Sequence, residues 1–261
     1  MRLEKIRLEF THQERVARIT LASPKANILD QAMIHELEEA VSRCAKRSLN
    51  ALVITAEGPH FSFGASVQEH LPDQISGTLQ ALHALLRQLH EFPAPVIAAV
   101  RGHCMGGGFE LALACDLIMA DHTAQFAVPE IKLAVFAPAA SALLPQRVGQ
   151  ALAARLLLTG APITADEAAR SGLVARVAED LDAEIERWLE SDFLPRSPSS
   201  LQLGCRAARM SLRHAFGEEL RQLERLYLSE LMTTADAEEG IRAFLEKRAP
   251  RWGKTAVMTQ G

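Results

Sequence analysis

Two short runs without a charged residue, ALVITA at 51–56 and PVIAAV at 95–100, constrain the architecture of this chain more than any other feature. A strand with one solvated face alternates apolar and polar side chains. A run that stays apolar throughout fits a strand covered on both faces, as in a parallel sheet with helices packed against it. A glycine-containing turn and then residues at helical spacing follow each run. The expected fold class is therefore α/β, built from strand–helix units around a largely parallel sheet.

Ahead of these runs, Ile6, Leu8 and Phe10, then Ala17, Ile19 and Leu21, alternate with polar residues on either side of THQER, the pattern of a β-hairpin with one buried face. Beyond SPKAN the period changes. Met33, Leu37, Ala40, Val41 and Cys44 recur at helical spacing, and Asp30 is placed to cap that helix. Strand signals end near Leu181, and the remainder reads as helices with charged outer faces. RSPSS at 196–200 is the expected linker between a core region at 1–195 and a helical region at 196–261. In the latter, Leu220, Leu223, Leu226 and Leu231 form an apolar stripe that Tyr227 and Leu228 widen. A stripe this broad fits a contact between subunits or packing on the chain's own core.

The chain has 28 basic and 32 acidic side chains in 261 residues and no block of like charge, which argues against nucleic-acid or membrane-surface binding. Cys44, Cys104, Cys115 and Cys205 are widely spaced, without a C-x-x-C pair or a histidine at ligand spacing, so reduced thiols and no metal site are expected. The opening MRLEKIRLEF is charged throughout, unlike a signal peptide, and no apolar run reaches the length of a membrane span. A soluble, cytoplasmic protein is the expectation.

The chemistry is concentrated in RGHCMGGGFELALACDL, directly after PVIAAV. A helix beginning near Gly106 or Gly107 would present backbone N–H groups that have no intrahelical acceptor, and glycine lets another molecule approach them. Glu110 follows Gly107 by three residues and shares one face of that first turn. An oxyanion donor and a carboxylate thus meet in one small volume. The bland alternative is that the glycines only permit close helix–sheet packing and Glu110 complements the helix dipole. A dinucleotide site is disfavoured, because GGG lacks the later glycine of G-x-G-x-x-G.

A second turn, at Gly64 and Ala65, lies beyond the C-terminal end of ALVITA, where ligands bind open α/β sheets. Its N–H would complete a two-donor oxyanion hole with Gly107. Farther on, Glu130 follows Pro129 and precedes Ile131, an apolar setting that would raise a carboxyl pKa. Two carboxyls at one site suit acid–base work on water and a carbon acid. Cys104 beside His103 carries no orienting pattern for a nucleophile, His60 and His70 read as loop histidines, and Asp116 reads as a capping or pairing residue.

The segments PKANILDQAM, FSFGASVQEH, RGHCMGGGFELALACDLIMA, AQFAVPEIKL and FLEKR occur in the order and spacing of the enoyl-CoA hydratase/isomerase (crotonase) superfamily, which this chain resembles over nearly its whole length. The resemblance implies a crotonase-like spiral of ββα units, a C-terminal helical trimerisation region, and a homotrimer or a homohexamer built as a dimer of trimers. It implies an acyl-CoA thioester as substrate, coenzyme A being part of that substrate and not a separate cofactor. By position, Ala65 and Gly107 would form the oxyanion hole, and Glu110 and Glu130 would be the catalytic carboxyls. Lys25, Ala26 and Ile28 would line the CoA channel, with Ser66 and Val67 near the adenine. Phe244 and Lys247 would contact the nucleotide of a neighbouring subunit. Gln68 stands where a lysine is common.

After Glu130, family hydratases usually carry a glycine-rich stretch, whereas this chain has AVFAPAAS, placing Pro138, Ala139, Ala140 and Ser141 there. That departure, with PKANI and EGPHFSFGASVQEH, is similar to the members that hydrate cyclohexa-1,5-diene-1-carbonyl-CoA to 6-hydroxycyclohex-1-ene-1-carbonyl-CoA in anaerobic benzoyl-CoA degradation. Phe61, Phe63 and Phe136 are candidate flat walls for a ring. A general 2-enoyl-CoA hydratase, an enoyl-CoA isomerase and a non-catalytic binding protein of the same fold are the alternatives.

Overall fold

The computed structural model describes residues 3–23, 25–71 and 74–253, except the side chains of 213–215. The strands are β1 (Ile6–Thr11), β2 (Val16–Leu21), β3 (Ala51–Ala56), β4 (Val96–Val100), β5 (His103–Met105), β6 (Leu117–Asp121), β7 (Gln125–Ala127), β8 (Ile163–Thr164) and β9 (Arg176–Ala178). Six of them form one sheet in the order β1-β2-β3-β4-β6-β9. The β1–β2 pair is the antiparallel hairpin, Ile6 opposite Leu21, and every other pairing in this sheet is parallel. A smaller sheet, β5-β7-β8, stands beside it.

The helices are α1 (Gln31–Ala45), α2 (Ile75–Glu91), α3 (Gly107–Leu113), α4 (Pro138–Val148), α5 (Gln150–Thr159), α6 (Ala165–Arg170), α7 (Leu181–Trp188), α8 (Pro198–Ala208), α9 (Met210–Arg225) and α10 (Ala235–Leu245). Asp30 caps α1, accepting from the Met33 amide at 2.9 Å. Met33, Leu37, Ala40, Val41 and Cys44 are all buried on its inner face.

The two apolar runs are uniform because the sheet is covered on both sides. Leu52 and Ile54 of β3 join the main core with α1 and α2, while Ala51 and Val53 face a second core under Leu181 and Ile185 of α7. Ile97 and Ala99 of β4 divide from Ala98 and Val100 in the same way. Alternation is present, but both phases are apolar.

The structure departs from the expected strand–turn–helix order at one point. The three-residue β5 intervenes between β4 and the glycines and pairs with β7 in the smaller sheet. His-Cys-Met is too short to show a period.

The C-terminal leucines divide between surfaces. Phe216 and Leu220 are buried in the main core and Leu223 packs against it, whereas Leu226 remains 42% exposed. A π-helical turn at Leu226–Glu230 follows α9 and rotates Tyr227 into a third apolar cluster with Val135, Ala237 and Ile241. Arg209, where α8 meets α9, is buried and forks onto Asp116 at 2.6 and 2.5 Å, and its other N–H groups reach the carbonyls of His90, Phe92 and Ala94. Asp116 also accepts from the Val96 amide at 2.7 Å, a pairing role. Among the described residues no helix is long and apolar enough to cross a membrane.

Candidate active site

Each glycine of the GGG turn has a different neighbour. Gly106 has φ +49°, and a Cβ there would lie 2.2 Å from Oε1 of Glu130. A Cβ on Gly107 would lie 3.1 Å from the Ala65 nitrogen, and one on Gly108 would lie 2.5 Å from Cβ of Ser62. Together they let α3 approach the Phe63–Ala65 turn and the Glu130 segment at backbone contact. Gly64, at φ +98°, completes the approach: a Cβ there would lie 2.8 Å from the Met105 carbonyl oxygen and 3.3 Å from the Gly107 nitrogen.

The result is a pair of adjacent amides, those of Ala65 and Gly107. Leu29 and Gly64 hold the turn in place, the Leu29 amide donating to the Gly64 carbonyl at 2.9 Å. Gly107 is the first residue of α3, so its N–H has no acceptor within the helix. Both residues line a cavity of about 20 Å³ together with Glu110 and Glu130, a volume suited to a single water.

Glu110 is buried, 3% exposed, and its Oε1 accepts from the Ala140 amide at 2.8 Å. Pro138 opens α4, and Ala137 before it has no capping side chain. Glu110 therefore supplies from α3 the acceptor that the first turn of α4 lacks. Burial raises its pKa, and His83 and the Ala140 and Ala139 amides oppose that rise. His83 is itself fully buried on α2, with Nδ1 2.5 Å from Oε1 of Glu224 on α9.

Glu130 lies in a 3₁₀ turn, Pro129–Leu133. It has no equivalent support: its Oε2 is buried without a hydrogen-bond partner. Burial first, and then the charge of Glu110, push its pKa up to about 8, against its own backbone amide. The two carboxyls are thus held differently: Glu110 accepts from the Ala140 amide at the start of α4, whereas Glu130 lacks such a donor and keeps its proton at neutral pH.

The cavity opens outward in two steps. A middle section of about 60 Å³ is lined by Phe63, Gly64, Ala65, Val67, Pro129 and Glu130, and an outer section of about 460 Å³ by Phe63, Val67, Met105, Lys132, Phe244 and Arg248 among others. The sections share walls: Phe63, Val67 and Pro129 line the outer and middle ones, and Ala65, His70 and Glu130 the middle and inner ones, which sets them in line from α10 to the two carboxyls. Val67 and Phe244 line it, and Phe244, 54% exposed, stands at its mouth within the same chain. Lys25, Ala26 and Ile28 line none of the three sections. Ala26 instead braces the turn, its carbonyl accepting from the Phe63 amide at 3.0 Å. The Ser66 carbonyl accepts from Nδ1 of His70 at 2.8 Å, and Lys247 is exposed beyond α10 at φ +54°.

This geometry, two amides facing two buried carboxyls at the end of a long groove, accompanies a match of residues 11–255 to the enoyl-CoA hydratase/isomerase family model. The chain belongs to the enoyl-CoA hydratase/isomerase family. Members of this family act on acyl-CoA thioesters. The chain is 48% identical over 236 residues, 90% of its length and 92% of the relative's, to cyclohexa-1,5-dienecarbonyl-CoA hydratase of Thauera aromatica. It is 37% identical over 245 residues to 2,3-dehydroadipyl-CoA hydratase of Escherichia coli, covering 92% and 96% of the two chains. An enoyl-CoA hydratase structure from Mycobacterium avium superposes with a TM-score of 0.85 at 31% identity, over 95% of this chain and 99% of that one. The crotonase fold is therefore the observed one, with the C-terminal helices as described.

Two assignments made from the sequence change, those of His70 and Phe61, and that of Cys104 holds. His70 is not a solvated loop histidine: it lines the middle and inner sections, and burial lowers its pKa. Of the three candidate ring walls, Phe61 is in the core, Phe63 lines the outer two sections, and Phe136 lines the innermost. Cys104 is buried, which pushes its thiol well up and leaves no thiolate nucleophile. Tyr227 also lines the innermost section, 1% exposed, with its hydroxyl unpaired and its ring edge-on to Phe136 at 5.3 Å. Sequence reasoning missed it as a site residue because a tyrosine within a leucine stripe reads as part of that stripe.

Proposed function

We propose that this enzyme adds water to cyclohexa-1,5-diene-1-carbonyl-CoA, giving 6-hydroxycyclohex-1-ene-1-carbonyl-CoA. The observation that carries the proposal is the unequal pair of carboxyls beside the two free amides. Similarity to the Thauera aromatica hydratase supports the choice of acyl group, as does the aromatic edge of Phe136 at the inner end of the groove.

In the proposed reaction the thioester oxygen accepts hydrogen bonds from the Ala65 and Gly107 amides. Glu110 takes a proton from water as the water oxygen bonds to the ring carbon β to the carbonyl. The π electrons of that double bond move toward the thioester oxygen, giving a dienolate that the amides stabilise. The product double bond is conjugated with the thioester, so the dienolate is protonated at the far end of the diene. Glu130 gives up that proton. One proton enters Glu110 and one leaves Glu130, and transfer of a proton between the two restores the starting state.

The outer groove would hold the CoA portion, with Val67 and Phe244 along it, while Lys25, Ala26, Ile28, Ser66 and Lys247, which line none of its sections, would contact CoA outside it. CoA enters as part of the substrate, and no separate cofactor is required by these steps. A homotrimer or homohexamer is part of the same proposal. Leu203, Met210, Leu226, Phe244 and Trp252 are exposed apolar side chains concentrated beyond residue 196, the region proposed for oligomerisation. Light scattering at micromolar concentration checks this, and a monomer would contradict it. A cytoplasmic location belongs to the same proposal.

The deciding experiment compares turnover of cyclohexa-1,5-diene-1-carbonyl-CoA with that of crotonyl-CoA on one preparation. A higher kcat/KM for the cyclic diene is expected, and preference for crotonyl-CoA overturns the assignment of the acyl group.

A further inference from the structure

Tyr227 is the only tyrosine of the chain. Its hydroxyl is buried without a partner, inside the cavity that Glu110 and Glu130 also line. A buried unpaired hydroxyl is unfavourable for folding, because water's hydrogen bonds have been lost and none replaced. Such groups call for an explanation, and an absent ligand is one. The backbone adds a second observation: Tyr227 sits in a π-helical turn, Leu226–Glu230, at the end of α9. A π turn interrupts regular helix bonding and recurs at functional sites. Here it turns the ring away from the exposed face of Leu226 and edge-on to Phe136.

Burial and the nearby charges of Glu130 and Glu110 push the Tyr227 pKa upward. The phenol is therefore protonated at neutral pH and available as a donor. Neither carboxyl takes its hydrogen bond. The Ala65 and Gly107 amides serve the thioester oxygen in the reaction above, which leaves the oxygen between the carboxyls as the acceptor still without a donor.

We propose that Tyr227 is a third catalytic residue, donating a hydrogen bond to the oxygen that is added to the ring, first as water and then as the product hydroxyl. This rests on the hydration reading. In the dehydration direction the donor stabilises charge developing on the departing oxygen, and in hydration it orients the same oxygen. No covalent bond to the phenol forms, and its proton is not consumed.

The test is Tyr227→Phe, which keeps the ring against Phe136 and removes only the hydroxyl. The expected result is a fall in kcat of about tenfold or more with KM within twofold, and a Tm equal to or above that of the wild type. A smaller fall in kcat, a change confined to KM, or a loss of several degrees in Tm each overturns the proposal. Both cyclohexa-1,5-diene-1-carbonyl-CoA and crotonyl-CoA are assayed. If the wild type prefers crotonyl-CoA, the cyclic assignment fails, and the same tenfold criterion on crotonyl-CoA still decides the role of Tyr227. A readout independent of turnover uses the single tyrosine: in protein carrying ¹³Cζ-tyrosine, the lone resonance shifts on adding 6-hydroxycyclohex-1-ene-1-carbonyl-CoA and not on adding CoA. An unmoved resonance with saturating product overturns the proposal.

Discussion

Gly106 and Glu130 compete for one volume: the Cβ that any other residue would place at 106 falls 2.2 Å from Oε1 of Glu130. The acid of the proposed reaction occupies its position because the helix-opening turn twenty-four residues earlier has no side chain. That contact accounts for a glycine that helix propensity alone would disfavour.

Gly106→Ala forces a side chain into the carboxyl and into a positive-φ conformation. The expected outcome is a loss of at least about 100-fold in kcat, the contribution of a displaced general acid. The fold should survive, because the strain of one such residue costs only about 1–3 kcal/mol. Steady-state kinetics beside circular dichroism checks both halves.

Glu130 carries the pH dependence. Its folded pKa is raised from 4.5 to about 8, so between those values the folded protein binds a proton that the unfolded chain has released. Stability from this group is complete below the lower value and is lost as pH rises through the upper one. Glu130→Gln should flatten the dependence of Tm on pH across that window. Its activity should fall by at least about 100-fold. A Tm profile unchanged by the substitution would remove Glu130 as the source.

The same ionisation governs turnover. kcat/KM of the wild type should fall as pH rises through about 8, since the acid is then lost. A flat profile from pH 7 to pH 9, at about two units' span, would reassign the proton donor.

Glu110→Gln keeps a side-chain oxygen near the amides of α4 and removes the base. A fall in kcat of at least about 100-fold is expected, with a small change in Tm. Glu110→Ala should additionally destabilise the protein by about 1–2 kcal/mol, because the first turn of α4 loses its acceptor. Chemical denaturation of the two variants separates the roles.

Arg209 tests how the C-terminal helices are fastened. Arg209→Ala leaves Asp116 and three carbonyls without their buried cation, and a cost of about 3–5 kcal/mol is expected. Urea denaturation measures it directly.

The sheet was legible because β3 and β4 are apolar in both phases, and α1 because Asp30 and five apolar positions agree. The two amides and both carboxyls were legible from the glycine turns, the spacing of Glu110 to Gly107 and the apolar setting of Glu130, and the resemblance assigned their roles. What could not be read was assigned by contacts between distant segments. AVFAPAAS reads as a pocket wall, yet the Ala140 amide at the start of α4 holds Glu110. His70 and Tyr227 enter the cavity through a turn and a helix end whose orientation depends on packing across more than a hundred residues. The raised pKa of Glu130 was legible in its apolar neighbours, whereas the amide that supports Glu110 comes from a helix thirty residues away and no local pattern encodes it.

The packing of α10 has a consequence for the order in which the enzyme comes into being. A Cβ on Gly240 would lie 2.2 Å from the carbonyl oxygen of Leu133, so α10 closes against the turn that carries Glu130. During synthesis the ribosome releases both amides and both carboxyls long before Tyr227 or Gly240 emerges. A nascent chain thus carries every group that handles the proton before the segments that wall its cleft at Tyr227 and brace the Glu130 turn at Gly240 have been made.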